Sequence, residues 1–133
     1  MCVRKGFLLL LCLLVCGGCG KQKSTNQLIA DLKSSKERDR IVAVRLLQYR
    51  EGDATQVVPA LIEALKDNDG DVRWSAAIGL GYFGEQAKDA IPALQAAQHD
   101  SDPRVREAAG VALSRIDPEK FPVPTAPSKR RGK

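Results

Sequence analysis

This chain has few aromatic residues, one histidine and no cysteine beyond position 19, and each shortage excludes a class of protein. Aromatic residues make up 5% of the sequence while Ala and Leu are abundant, which excludes a β-sandwich and favours helices packed through small side chains. All four cysteines lie within residues 2–19, so the rest of the chain has no disulfide framework. His99 has no partner at metal-ligand or proton-transfer spacing, and we interpret it as a solvated polar residue.

Catalytic and metal-binding motifs are also missing from the sequence. We find no Gly-rich phosphate loop, Ser/His/Asp set or paired ligand cluster, which favours a binding protein over an enzyme. The run 67–71, Asp-Asn-Asp-Gly-Asp, has the composition of a Ca²⁺ loop. Its glycine is fourth instead of sixth, however, and Ile78 stands at the twelfth position, where Glu is required. The sequence therefore predicts no metal site and no cofactor.

The N-terminal segment has the features of an export signal. Arg4 and Lys5 precede an apolar run at 7–15, which is too short for the ~20 residues of a membrane span. Residues 14–19, Leu-Val-Cys-Gly-Gly-Cys, resemble the lipobox of bacterial lipoproteins, in which the cysteine that follows the cleavage site is acylated.

This resemblance implies a lipoprotein signal peptide at 1–18, lipidation at Cys19 and a polar tether at 19–24. It implies anchorage in the cell envelope, and Gly20 after the modified cysteine favours the outer membrane. Two alternatives stay open, namely an ordinary cleaved signal that leaves a thiol at Cys19, and an uncleaved anchor.

A pattern of residues in the second half of the chain recurs every 33 positions. The segment 58–80 returns at 91–113, so that Pro59, Leu61, Asp67, Asp69, Val72, Arg73, Ala76 and Leu80 become Pro92, Leu94, Asp100, Asp102, Val105, Arg106, Ala109 and Leu113. A weaker copy precedes them, in which Leu28, Arg40, Ala43 and Leu47 take the matching places. This period predicts three stacked units, at 25–52, 54–85 and 87–117, because one such unit cannot bury its own apolar face.

Each unit contains two helical patterns of apolar residues joined by a tight turn. The strings around 67–81 and 100–114 resemble the HEAT repeat, in particular the short HEAT-like kind of phycobilin lyase subunits. The resemblance implies an all-α superhelix, a short solenoid of about three helical hairpins over 25–117. It further implies a structural ladder in which turn aspartates pair with second-helix arginines of neighbouring repeats: Asp67, Arg73, Asp100 and Arg106. Unit one departs from the pattern, with Ser34 at the turn-aspartate position and Asp39 at the valine position.

One face of the middle unit carries a candidate binding surface. Trp74, Ile78 and Tyr82 lie about 200° around the second helix from its inward-facing residues. HEAT-type stacks place their second helices on the concave face, so these residues would form an apolar strip flanked by Arg45, Tyr49, Glu107 and Arg115. Exposed aromatic residues beside arginines are typical of protein-binding hot spots. Alternatively, the tail at 121–124 covers the strip, or the strip completes the packing between repeats.

The basic charge belongs to the ends of the chain. Removing Arg4 and Lys5 lowers the net charge from +5 to +3, and setting aside the four cations within 129–133 leaves −1. A body of this charge argues against nucleic-acid binding. Residues 118–133, rich in Pro and basic side chains, are predicted to form a disordered tail that either touches anionic envelope polymers or aids solubility.

These patterns together predict a lipid-anchored HEAT-like interaction or scaffold module of the bacterial envelope. Its partner would be an unknown protein or peptide bound on the second-helix face. Two alternatives stay open: an accessory protein of a lyase or other enzyme, and a structural repeat protein that self-associates through the open ends of its stack.

Overall fold

The computed structural model describes residues 22–122, and in this range the chain forms six α-helices and no β-strand. The helices are α1 (Thr25–Asp31), α2 (Glu37–Leu47), α3 (Ala54–Ala64), α4 (Gly70–Phe83), α5 (Ile91–Ala97) and α6 (Pro103–Ile116). Short 3₁₀ helices at Glu51–Asp53 and Gly84–Ala90 connect the units. The predicted all-α fold is confirmed.

Several predictions fall on residues outside this range. The signal peptide at 1–18, the acylation site Cys19 and the tail at 123–133 lie outside the described residues. Among the helices of residues 22–122, none has the length and apolar character needed to cross a membrane.

Polar residues at the helix starts explain where several helices begin. Ser24 accepts a hydrogen bond from the Gln27 amide and Gln27 returns one to the Ser24 amide, so a capping box opens α1. Asp69 accepts from two amides of the first turn of α4, and Asp102 accepts from the Arg104 amide in α6. Such caps contribute about 1 kcal/mol each because they satisfy amides that have no partner within the helix.

Repeating leucines form the core that joins the three hairpins. Every unit buries one leucine from its first helix and one from its second, each with no exposed surface: Leu28, Leu47, Leu61, Leu80, Leu94 and Leu113. Burial of a leucine side chain contributes about 1.5–3 kcal/mol. Each first helix packs on the second helix of its own unit, and α4 lies between α2 and α6. The second helices therefore form a continuous row.

Glycine allows a close backbone contact within this row. A Cβ atom on Gly81 would lie 3.2 Å from the Cα of Ala112 in α6, a distance tighter than side chains normally accept. Gly84, which follows α4 immediately, has a φ of 51°, in the left-handed region that glycine adopts without strain. Glycine is thus required once for packing and once for the helix end.

The first residues of the predicted disordered tail are ordered. Residues 118–120 form a turn, and the Phe121 amide donates to the Asp117 carbonyl at 2.9 Å. The Phe121 ring is partly buried against the core cluster. The tail prediction is therefore wrong for 118–122, because one aromatic side chain at the end of the stack finds apolar surface to cover.

Candidate protein-binding face

Two ion pairs connect consecutive repeats on the side where the interhelical turns lie. Arg73 donates through Nε and Nη2 to both carboxylate oxygens of Asp100, at 2.8 and 2.9 Å. Its Nη1 donates to two carbonyls of its own turn, those of Asp67 and Asn68, at 2.8 and 3.1 Å. Arg73 therefore binds its own turn with one nitrogen and the aspartate of the following repeat with the other two.

Arg40 makes the equivalent pair one repeat earlier. Its Nε and Nη2 donate to Asp67 at 2.8 and 3.0 Å, and its Nη1 donates to the Ser34 and Ser35 carbonyls. The ladder predicted from sequence omitted Arg40, although this residue aligns with Arg73 at the 33-residue period. The omission arose because unit one lacks the turn aspartate by which the motif was recognised.

The ladder side chains are largely shielded from solvent. In both pairs the four side chains are 12–16% exposed. The hydrogen bond from Arg73 lowers the pKa of Asp100 against the effect of burial. Burial raises the pKa of Asp67, but the bonds from Arg40 and from the Asp69 amide outweigh it, and the pKa lies below its ordinary value. Both aspartates are therefore ionised in the folded protein at neutral pH.

Arg106 is the ladder residue that the structure leaves without a carboxylate. Its Nη1 donates to the Asp100 and Ser101 carbonyls at 2.7 and 3.1 Å, as in the other two arginines. Among residues 22–122 no Asp or Glu pairs with it, and its side chain is exposed. The prediction of a paired Arg106 is thus wrong for the described chain, because no following repeat within it supplies an aspartate.

Trp74, Ile78 and Tyr82 form a ridge along α4, here called the aromatic ridge. A groove of about 500 Å³ separates the ridge from α6, and the α6 residues that line it include Glu107, Val111 and Arg115. A smaller groove of about 170 Å³ lies on the α2 side and includes Arg45. Six of the seven residues predicted for the binding surface are therefore brought together: Arg45, Trp74, Ile78, Tyr82, Glu107 and Arg115.

Exposure differs along the ridge. Tyr82 is 54% exposed, whereas Trp74 and Ile78 are partly buried and pack against the core. The seventh predicted residue, Tyr49, is 71% exposed but lies in a separate depression with Lys23 and Leu46. Phe121 does not line the groove beside α6. Within the described residues the ridge is therefore open at Tyr82 and anchored in the core at Trp74.

Two arginines of α6 lie against the ridge aromatics. The Arg115 guanidinium is 5.7 Å from the Tyr82 ring centroid, and the Arg104 guanidinium is 5.8 Å from that of Trp74. At such distances a cation is attracted to the face of an aromatic ring. Arg104 was not predicted, although it precedes Glu107 by one helical turn and so lies on the same face of α6.

The two arginines differ in their charge environment. Arg104 pairs with Asp102 and Asp71, each at 2.7 Å, and the hydrogen bonds that its guanidinium donates to these two carboxylates raise its pKa. Arg115 has no carboxylate within ion-pair distance among residues 22–122. The end of the groove near Tyr82 is therefore basic and aromatic, while its other end is neutralised.

A group of carboxylates lies at the N-terminal ends of the second helices. Oxygens of Glu37, Asp69 and Asp71 lie within 4.8 Å of one another. Asp69 is occupied as the cap of α4, and Asp71 pairs with Arg104. Two of the three groups thus have roles in holding the helices in place.

A profile of HEAT repeats matches residues 25–114. The chain belongs to the HEAT-repeat family. The resemblance stated from the turn and second-helix residues is thereby confirmed, and the aromatic ridge lies on the middle repeat of a HEAT stack.

Among solved structures, this HEAT-repeat chain is similar to the complex of CpcE and CpcF of phycocyanin lyase from Nostoc sp. PCC7120. The TM-score is 0.66 at 31% sequence identity, and the match covers 75% of this chain and 40% of the matched chain. The HEAT-repeat chain therefore spans less than half of the lyase-complex chain. Comparison with curated proteins gives no match.

Proposed function

We propose that this HEAT-repeat protein is an accessory module of a lyase-type assembly, and that it binds another protein on the aromatic ridge and the adjoining grooves. The similarity to a chain of a two-component lyase complex supports the accessory role over that of a free-standing scaffold. The proposal assigns the chain a binding role and leaves catalysis to its partner.

The open, basic end of the groove is the observation that carries this proposal. Tyr82 presents an exposed ring, and Arg115 lies beside it without a carboxylate among the described residues. Tyrosine and arginine dominate binding energies at protein interfaces because they combine large contact area with hydrogen-bonding groups. Trp74 and Ile78, which are held by the core, would give this surface a rigid base.

Site-specific cross-linking tests the location of the partner. A photoreactive phenylalanine analogue at position 82 should give a discrete adduct with a partner in extracts of the source cells. The same analogue at Gln95, an exposed residue of a first helix, serves as the matched control. Equal adducts from both positions, or an adduct from position 95 alone, would place the partner elsewhere.

Binding measurements with the partner so identified give the second part of the test. Tyr82→Ala should weaken binding at least tenfold with an unchanged helical circular dichroism spectrum, because the ring is largely outside the core. Gln95→Ala should leave the affinity unchanged. Trp74, the sole tryptophan of the chain, provides a fluorescence signal for the titration. Loss of helical signal in Tyr82→Ala would assign the ring to the core instead.

We further propose, from the N-terminal sequence pattern, that the mature protein is held at a bacterial membrane by acylation of Cys19. Intact-mass measurement of the membrane fraction should show removal of residues 1–18 and the added mass of acyl chains. Cys19→Ser should lack this added mass. An unmodified thiol at Cys19 in the membrane-extracted protein would contradict acylation.

A further inference from the structure

We propose that Arg106 is the docking point for a helical hairpin of a second protein whose interhelical turn carries an aspartate. This surface lies at the C-terminal end of the stack, and the proposal does not depend on what binds the aromatic ridge. It rests on a comparison of three equivalent arginines within the same molecule.

The Arg106 guanidinium is already oriented as in the two closed pairs. In all three arginines Nη1 donates to two consecutive carbonyls of the arginine's own turn, at 3.0 and 3.5 Å for Arg40, 2.8 and 3.1 Å for Arg73, and 2.7 and 3.1 Å for Arg106. This contact anchors one nitrogen of the guanidinium on the arginine's own turn. In Arg40 and Arg73 the Nε and Nη2 nitrogens bind one carboxylate at 2.8–3.0 Å. Arg106 therefore offers a preorganised two-point site for a carboxylate.

The rest of the sequence has no side chain to fill this site. Residues 1–21 and 123–133 contain no Asp or Glu, and none of the described carboxylates pairs with Arg106. A side-chain carboxylate for Arg106 must therefore come from outside this sequence.

The neighbouring surface favours a helical hairpin over an isolated acidic group. On α4, Ala77 is fully buried and lines the α4–α6 groove, while its counterpart 33 residues later, Gly110, is partly exposed. The counterpart of Gly81 at this position is Ser114, which is 8% exposed. The side of α6 that would receive another second helix therefore consists of small residues, of which Gly110 is partly open to solvent.

A second copy of this chain does not supply the required turn. Ser34 holds the turn position of the first repeat, where its hydroxyl accepts from the Lys36 amide at 3.2 Å and donates to Asp39 at 3.1 Å. A copy stacked head to tail would therefore present a hydroxyl at the turn position, and its nearby Asp39 carboxylate lies in the second helix and is bonded to that hydroxyl. We accordingly assign the site to a different protein with a turn aspartate.

A modified copy of the chain can imitate such a partner. The probe carries S34D, D39V and R106Q: the first adds the turn aspartate, the second removes an adjacent negative charge, and the third prevents self-pairing. The matched control copy carries D39V and R106Q and keeps Ser34. All chains also carry Cys19→Ser and are studied in one detergent buffer, because the apolar run 7–15 is retained. Helical circular dichroism establishes that both copies fold.

The acceptor is the chain with native Arg106, labelled with ¹⁵N at arginine. The Arg106 Nε–H resonance should shift with the probe, at a half-saturating concentration at least tenfold lower than with the control copy. The Arg45 resonance should not distinguish the two copies. Equal responses to probe and control, or no response to either, would overturn the proposal, and the former result would show self-association through other contacts.

Calorimetry with Arg106→Lys in the acceptor separates a two-point site from simple charge attraction. The tenfold preference for the probe should disappear, because an ammonium group cannot donate two parallel hydrogen bonds to one carboxylate. If the preference persists in Arg106→Lys, the two-point geometry is not what recognises the aspartate, and the proposal fails.

Discussion

At the scale of single residues, arginines at equivalent positions of different repeats contribute differently to stability. Arg73 and Arg106 each hold the two carbonyls of their own turns, but only Arg73 binds a carboxylate of the following repeat. The Asp100 side chain is 12% exposed, and substitution of Arg73 would leave its carboxylate without the paired cation. The contribution of the arginine to stability is therefore set by the repeat that follows it.

This difference gives a prediction for two matched substitutions. Arg73→Gln should lower the free energy of unfolding by about 1–2 kcal/mol, since a charge-assisted pair is lost and a shielded carboxylate is left alone. Arg106→Gln should cost about 0.5 kcal/mol or less, as expected for an exposed position. Urea unfolding followed by circular dichroism measures both. Equal decreases in the free energy of unfolding would mean that the contacts to the turn carbonyls, and not the carboxylate pair, supply most of the stabilisation by these arginines.

At the scale of helices, the sequence predicted the hairpins and the Arg73–Asp100 pair between them, but not the contact between α4 and α6. The buried leucines recur at the 33-residue period, and so do Asp69 and Asp102, which the structure shows to be helix caps, because both features depend on local spacing. The period did not predict that Arg104 lies over Trp74, since that contact depends on how α4 and α6 are rotated against each other. Phe121 was missed because neighbouring prolines suggested an unstructured chain.

The α4–α6 contact gives a prediction about glycine. Gly81→Val should destabilise the protein by about 1–3 kcal/mol, because the new side chain meets the backbone of Ala112 and the two helices must separate. Gly52→Ala is the matched control, since its added Cβ has no neighbour within 4 Å. That substitution should be neutral or slightly stabilising. Thermal unfolding compares the two variants, and a neutral Gly81→Val would show that the helices are not closely packed there.

At the scale of the whole molecule, stability depends on pairs that connect the repeats into one unit. Asp67 and Asp100 have pKa values below the ordinary 3.8 in the folded state. A carboxylate with a lowered folded-state pKa contributes stability above its unfolded-state pKa, and this contribution is lost as the pH falls through the lowered value. The ladder therefore contributes at neutral pH and disappears in acid.

The expected result is a fall in the urea midpoint as the pH drops below about 4, the ordinary range of an aspartate. In Arg73→Gln the fall should be smaller, because Asp100 no longer has the partner that lowers its pKa. Urea titrations at neutral pH and at several acidic values check both statements. Parallel curves for the two proteins would show that the acid sensitivity has another origin.

The direction of the ladder has a consequence for how such chains lengthen. Each arginine reaches forward, so the two ends of the stack differ chemically: the last repeat offers a cation, while the first offers the Ser34 hydroxyl. A duplicated hairpin inserted after residue 117 would meet a ready counter-charge, whereas one inserted before residue 25 would need Ser34 to change as well. The ladder of the described residues is thus directional, and only a hairpin added after residue 117 would complete it without a further substitution.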